Sequence, residues 1–268
     1  MIRIGTAGVP LGTIVRDTQA GIKYVREIGL DAMEVEFVRG VYLTENAAGD
    51  VGRLARELDV SLSVHAPYYI NLNSVESEKI EASKKRIIDS ARIAGILGAR
   101  IVVFHPGFYG KVTPEETLQK IQENIIEVRE TLDKEGNNVL LGPETTGKKS
   151  QFGTLEELMA ISQTAKRIMP AIDFGHLHAR SNGGLKTKQD FEAVFDLFGR
   201  QFKEPMHIHM AGVKYSEKGE LEHLEIGACQ PDYKHLAGIL KERKIEATVI
   251  SESPNIEKDA LTLKKMLE

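Results

Sequence analysis

The sequence predicts an α/β fold, a TIM (β/α)8 barrel built as a single domain over residues 1–268. Three observations carry that expectation. Short β-branched runs alternate with helical patterns along the whole chain, and regular strand–helix alternation implies a parallel sheet. Dividing the length by eight gives about 33 residues, enough for one strand–helix unit of such a barrel. Most of the runs also end on an acidic or imidazole side chain: His65, His105, Glu144, Asp173, His207 and Glu252, with His176 just beyond Asp173.

Strands are expected over residues 2–6, 32–37, 61–65, 100–105, 139–144, 171–173, 206–209 and 247–252. They are short and rich in Val and Ile, as strands covered on both faces are. Helical periodicity occupies residues 77–97, 113–134, 154–168 and 232–243. The second of these opens with the capping box Thr113-Pro114-Glu115-Glu116, which satisfies two free amides and places Pro where its missing N–H costs nothing. The third opens at Thr154, with Glu156 and Glu157 against the positive end of the helix dipole.

Hydrophobic residues make up 41% and charged residues 28% of the chain, an ordinary soluble composition. No apolar run approaches the roughly 18 residues that a membrane span needs. Met1 leads directly into a strand pattern without a signal-peptide layout, so the expected location is cytoplasmic. The formal net charge of −4 speaks against nucleic-acid binding through a basic surface. Bound divalent ions would nonetheless supply local positive charge where a phosphate sits. A lone cysteine, Cys229, excludes an intrachain disulfide and a cysteine-rich zinc site. Any metal must therefore be held by nitrogen and oxygen, a donor set open to Zn²⁺ and to Mn²⁺. No obligate protein partner is expected.

In this barrel the carboxyl ends of the strands and the loops after them form the active site. His65 and His105 end adjacent strands, about 4.8 Å apart, so both imidazoles can reach one ion. Glu144 has two oxygens, enough to bridge two ions. Asp173-Phe174-Gly175-His176 offers a carboxylate and an imidazole within one short turn. His207 and His209 share one strand face; one suits a metal, the other a hydrogen bond to substrate or to a ligand. Glu252 closes the ring from the last strand, and His223 is a further ligand candidate in the long seventh loop. His178 is expected at the surface, and His235 within a helix, structural or exposed.

Read together, these segments resemble the endonuclease IV family of apurinic/apyrimidinic endonucleases, within the xylose-isomerase-like TIM barrels. The motifs are His65-Ala66-Pro67-Tyr68-Tyr69-Ile70-Asn71-Leu72, His105-Pro106-Gly107, Pro143-Glu144-Thr145, Asp173-Phe174-Gly175-His176 and Met206-His207-Ile208-His209. The resemblance implies a centre of two or three Zn²⁺ ions that cleaves damaged double-stranded DNA 5′ to an abasic site. It implies one ion on His65, His105 and Glu144, and a second on Glu144, Asp173, His207 and Glu252. A third would take His176 and His223. Glu144 and Glu252 are the candidate catalytic carboxylates; the resemblance places Tyr68 against the DNA, and Arg39 and His209 are further candidate substrate contacts.

The chain departs from the family in three places. Leu221 stands where an Asp ligand of the third ion is expected, leaving Glu220 or Glu222 as substitutes. Gly227-Ala228-Cys229 replaces a Gly-Glu-Gly, and the loop Glu36-Phe37-Val38-Arg39-Gly40-Val41-Tyr42 differs from the family's DNA-penetrating loop. The rival expectation is a sugar isomerase or epimerase holding one divalent ion through Glu144, Asp173, His207 or His209, and Glu252. Such an enzyme moves a proton between carbons and has no use for His65, His105 and His223.

Overall fold

The computed structural model describes every residue except Arg200, Ala228 and Cys229. Its centre is eight parallel strands: β1 (Ile2–Ala7), β2 (Ala32–Glu36), β3 (Ser61–His65), β4 (Ile101–Phe104), β5 (Leu140–Pro143), β6 (Ala171–Asp173), β7 (Met206–Met210) and β8 (Ala247–Ser251). Their order runs β5-β4-β3-β2-β1-β8-β7-β6. Parallel bridges Leu141↔Ile168 and Glu144↔Ala171 join the two ends, so the sheet closes on itself as the TIM barrel that the sequence predicts. Closure leaves no exposed edge for another chain to pair with.

Outside the sheet lie α1 (Thr18–Glu27), α2 (Glu45–Glu57), α3 (Ser77–Leu97), α4 (Pro114–Lys134), α5 (Leu155–Ser162), α6 (Phe174–Arg180), α7 (Lys188–Gly199), α8 (Tyr233–Glu242) and α9 (Ile256–Leu267). The capping boxes at Thr113 and Thr154 form as the sequence indicates. Among the described residues, no helix is long and apolar enough to cross a membrane.

Side chains alternate across each strand, and here the alternation separates two environments. In β2, Met33 packs against Gly21 of α1, while Glu34 points into the lumen and meets His207 and His209 of β7. The lumen is polar where these strands face one another: Glu34, Ser63, His65, His207 and His209 are all buried. The apolar core lies between the strands and the helices, formed by residues such as Val35, Val64, Val102, Leu141, Ile208 and Val249.

Three expectations need correction. The helix expected over residues 154–168 ends at Ser162. Thr164 turns its hydroxyl back onto Ile161 O at 2.7 Å, and Arg167 takes φ +62°. The chain then descends so that the Met169 amide donates to Leu141 O at 2.9 Å, part of the barrel's closing seam. Second, α6 follows β6 without a loop, because the Asp173 carboxylate caps it by accepting from the His176 amide at 2.5 Å. His178, expected at the surface, is thereby turned inward; it is buried, and its Nδ1 faces Leu185 O at 3.0 Å. Third, two small antiparallel ribbons rise over the barrel mouth: Gly107–Phe108 with Gln151–Phe152, and the hairpin Gly212–Ser216 with Gly219–Leu224.

One close approach sets the β1–β2 spacing. A Cβ on Gly5 would lie 1.9 Å from Ala32 O, inside the backbone of β2. Gly5→Ala must therefore push apart the two strands that position Glu34. Overpacking of this kind costs about 1–3 kcal/mol. Urea unfolding is expected to show an earlier midpoint with an unchanged slope; an unchanged midpoint would contradict the packing described.

Candidate metal centre

The strand ends bring the predicted residues to one point. His65 is the last residue of β3, and His105, Glu144 and Glu252 each follow the last residue of their strands. Glu144 is fully buried and lies at the middle of the group. Its Oε2 is 3.3 Å from His65 Nε2 and 2.9 Å from His105 Nε2. Its Oε1 is 3.1 Å from His209 Nδ1 and 3.3 Å from His176 Nδ1. His209 Nδ1 is also 3.1 Å from Glu252 Oε1.

Of the four donor sets among the described residues with ligand atoms within 4.8 Å of one another, three gather at this end: His65, His105 and Glu144; Glu144, Asp173, His209 and Glu252; and His176, Glu220 and His223; the fourth, Glu34, His207 and His209, lies deeper. Glu144 belongs to the first two, one oxygen towards each. His176 abuts both the middle set and the third.

The chemistry of the donors fits divalent cations. All are imidazoles or carboxylates. Asp173 Oδ2 is buried and has no hydrogen-bond partner, a costly state for a carboxylate oxygen unless a cation takes it. Without cations, protons must balance the charge. Burial alone would raise the pKa of Glu144, but the charges of His105 and His209, with hydrogen bonds from His105 and His176, hold it well below the carboxylate range. Burial would likewise lower His65, yet its hydrogen bond to Glu144 and the charges of Glu36 and Glu144 carry it up to about 10. Metal binding must displace such protons, because imidazole ligates in its neutral form.

The structure departs from the sequence reading at two ligand positions. On β7 it is His209, not His207, that joins the middle set. Register decides this: His209 pairs with Asp173 of β6 and Ile250 of β8, at the height of the carboxylates. His207 pairs with Ala171, one layer deeper, where its Nε2 lies 2.9 Å from Glu34 Oε2. The substrate-contact role expected of His209 does not suit that buried position.

In the third set, Glu220 stands in place of the missing Asp. Its two oxygens lie 3.2 Å from His176 Nε2 and 3.2 Å from His223 Nε2. The hairpin pairing skips Leu221, with Tyr215↔Glu220 followed by Lys214↔Glu222. Such a bulge changes which residues share a face. Glu220 and His223 converge on the site, Leu221 is 58% exposed, and Glu222 pairs with Lys214 at 2.8 Å. Gly147 makes room for this arrangement, since a Cβ there would lie 2.3 Å from Glu220 Oε2.

Around the mouth, Tyr68 is 51% exposed, with its ring centroid 5.2 Å from that of His65. Arg39 is exposed on the loop after β2. Ala228 and Cys229 of the Gly227-Ala228-Cys229 departure lie outside the described residues. His235 is half-buried, 5.7 Å from the Phe191 ring. Two acids of β2 escaped the sequence reading. Glu34 is one. The other is Glu36, whose carboxyl is pushed up to about 8 by burial, with the Glu34 and Glu252 charges adding to the rise against the opposing effect of His65. The alternation Met33-Glu34-Val35-Glu36 carried the signal, because two acids on one face of a buried strand must point into the lumen.

A family model described as xylose isomerase-like TIM barrel matches residues 22–268. An uncharacterised protein of Methanocaldococcus jannaschii is 39% identical over 269 residues, covering 99% of this chain and 96% of its own. A probable endonuclease 4 of Chlorobium phaeobacteroides is 27% identical over 218 residues, 76% of this chain and 74% of that one. A solved D-tagatose 3-epimerase-like protein superposes with a TM-score of 0.75 at 22% identity, covering 98% of this chain and 95% of that one. At that identity the likeness concerns the fold alone.

The dependence of the third set on Gly147 gives a direct test. Gly147→Ala should displace Glu220 and lower the metal capacity of the purified chain by one equivalent, leaving the remaining equivalents at wild-type affinity. Metal analysis after dialysis against a weak chelator reads the difference. An unchanged capacity would show that Glu220 is not a ligand.

Proposed function

The chain belongs to the xylose isomerase-like TIM-barrel family, and from that premise we propose that it is a metal-dependent phosphodiesterase of the endonuclease IV type, cleaving DNA 5′ to abasic sites. One observation carries the reading. Glu144 has a complete donor set on each side, His65 with His105 on one and Asp173, His209 and Glu252 on the other. Paired cations are suited to displacement at phosphorus: they polarise the phosphoryl oxygens, lower the pKa of an attacking water and stabilise the departing oxygen.

The chain's own residues then have separate tasks. Glu144, buried and rigidly surrounded, fixes the spacing of the two sets. Glu252 lies at the edge of a cavity of about 230 Å³ lined also by Ala7, Glu36, Val38, Tyr68 and His223. That is room for a small group such as a sugar-phosphate unit. Tyr68 offers an aromatic face at the rim, able to stack where a base is missing. Lys148, Lys149 and Lys218 are exposed on adjoining turns above the third set, where the Lys149 amide donates to Lys218 O at 3.1 Å. They supply positive charge for a phosphate backbone on a chain whose net charge is −4.

A second reading, a divalent-metal sugar isomerase or epimerase, has its own observation. Glu144, Asp173, His209 and Glu252 form a four-ligand set sufficient for one ion. It leaves His65 and His105 without a task.

Incubation of the zinc- or manganese-loaded chain with a duplex carrying one abasic analogue decides between them. The expected product is a single nick on the 5′ side of the lesion. Glu144→Gln should cut the rate by on the order of 10²–10³-fold or more while the far-ultraviolet spectrum stays that of the wild type. An intact duplex with metal fully loaded, together with epimerisation of a ketose, would overturn the phosphodiesterase reading.

A further inference from the structure

Four of the imidazoles in the donor sets, His65, His176, His209 and His223, are not all held in the same way. His65 Nδ1 faces Ala66 O at 2.8 Å, His176 Nδ1 faces Thr145 O at 2.8 Å, and His223 Nδ1 faces Glu252 O at 3.2 Å. A ring that donates its Nδ1 proton to a main-chain carbonyl keeps Nε2 free as the ligand atom. In all three, Nε2 is the atom directed at its donor set. His209 is reversed. Its Nδ1 faces Glu144 and Glu252, and its Nε2 lies 2.9 Å from Glu34 Oε1.

We propose that Glu34 is a positioning residue for the metal centre: it holds the Nε2 proton of His209, turns Nδ1 of that ring towards Glu144, Asp173 and Glu252, and is itself held by His207. This inference rests on the metal-centre reading given above. Among the described residues, no main-chain carbonyl accepts a hydrogen bond from His209 Nε2. A carboxylate there must be wholly buried, and Glu34 is 0% exposed. Its second oxygen faces His207 Nε2 at 2.9 Å, so one carboxylate lies between two ring donors. The Nε2–Oε1 approach is close without hydrogen-bond alignment, so the bond forms only once the ring turns into line.

A carboxylate in this place does more than a carbonyl. It fixes the tautomer and also raises the basicity of the ligand nitrogen, and loss of such a partner typically costs 10–100-fold in metal affinity. It further explains why β7 carries two histidines on one face while only one reaches the carboxylate layer. The deeper ring orients the acid that orients the ligand.

Glu34, His207 and His209 also have donor atoms within 4.8 Å of one another, so an ion of their own is the competing arrangement. The ring protons distinguish the two. The chain has eight histidines, few enough for long-range proton–nitrogen correlation spectra of the zinc-loaded, nitrogen-15-labelled protein. The expected pattern is His209 protonated at Nε2, and His65, His176 and His223 protonated at Nδ1. A proton on Nδ1 of His209, or none on either nitrogen, would overturn the proposal.

In parallel, Glu34→Gln should weaken one metal equivalent by about 10–100-fold and leave the others unchanged, with partial recovery in Glu34→Asp. Uptake at wild-type affinity in Glu34→Gln would overturn the positioning role alone. Failure of the wild-type chain to take up any ion would overturn the centre and this inference with it. The spectra of the wild-type chain decide the matter even where a substitution at this buried position prevents folding.

Discussion

A carboxylate removed from water must be compensated, and in this fold that constraint falls on Glu144. The penalty for burying such a charge amounts to several kcal/mol even after relaxation. Four imidazoles approach it within 3.3 Å. The residue also lies in the closing seam of the barrel, where its amide donates to Phe104 O at 3.0 Å and its backbone bridges Ala171. Barrel closure and site assembly therefore share one residue. Geometry at the centre is set by the strand ends of the sheet, which suits the precise spacing that two ligand sets demand.

The polar lumen follows from the same logic. β2, β3 and β7 present polar residues inward and apolar ones to the helices, so this part of the barrel interior is held by hydrogen bonds and ion pairs. Such a network is tolerated when its members are satisfied and costly when they are not. Asp173 Oδ2 and Glu36 Oε1 are among its unsatisfied members, and a cation held by the middle donor set would answer the first.

Much of this was legible before the structure. The rhythm of ligand-type residues after short apolar runs gives both the barrel and the location of the site, because strand ends converge in this fold. The choice between His207 and His209 was not legible. Both side chains point the same way, and only the cross-strand register, which sequence pattern does not determine, places His209 level with Asp173. The choice between Glu220 and Glu222 was not legible for a related reason: a bulge at Leu221 shifts the face on which residues appear. Glu34 was overlooked although alternation in β2 announced it, since an acid among apolar neighbours was not followed to the strand across the barrel.

The central claim is that Glu144 stands between two cation sites. The most direct measurement is anomalous scattering from crystals of the metal-loaded chain, collected on either side of the zinc absorption edge. The account predicts separate peaks on the two sides of the Glu144 carboxylate, one bounded by His65 and His105 and one by Asp173, His209 and Glu252. A single peak confined to the latter set, with His65 and His105 free of metal, would contradict it.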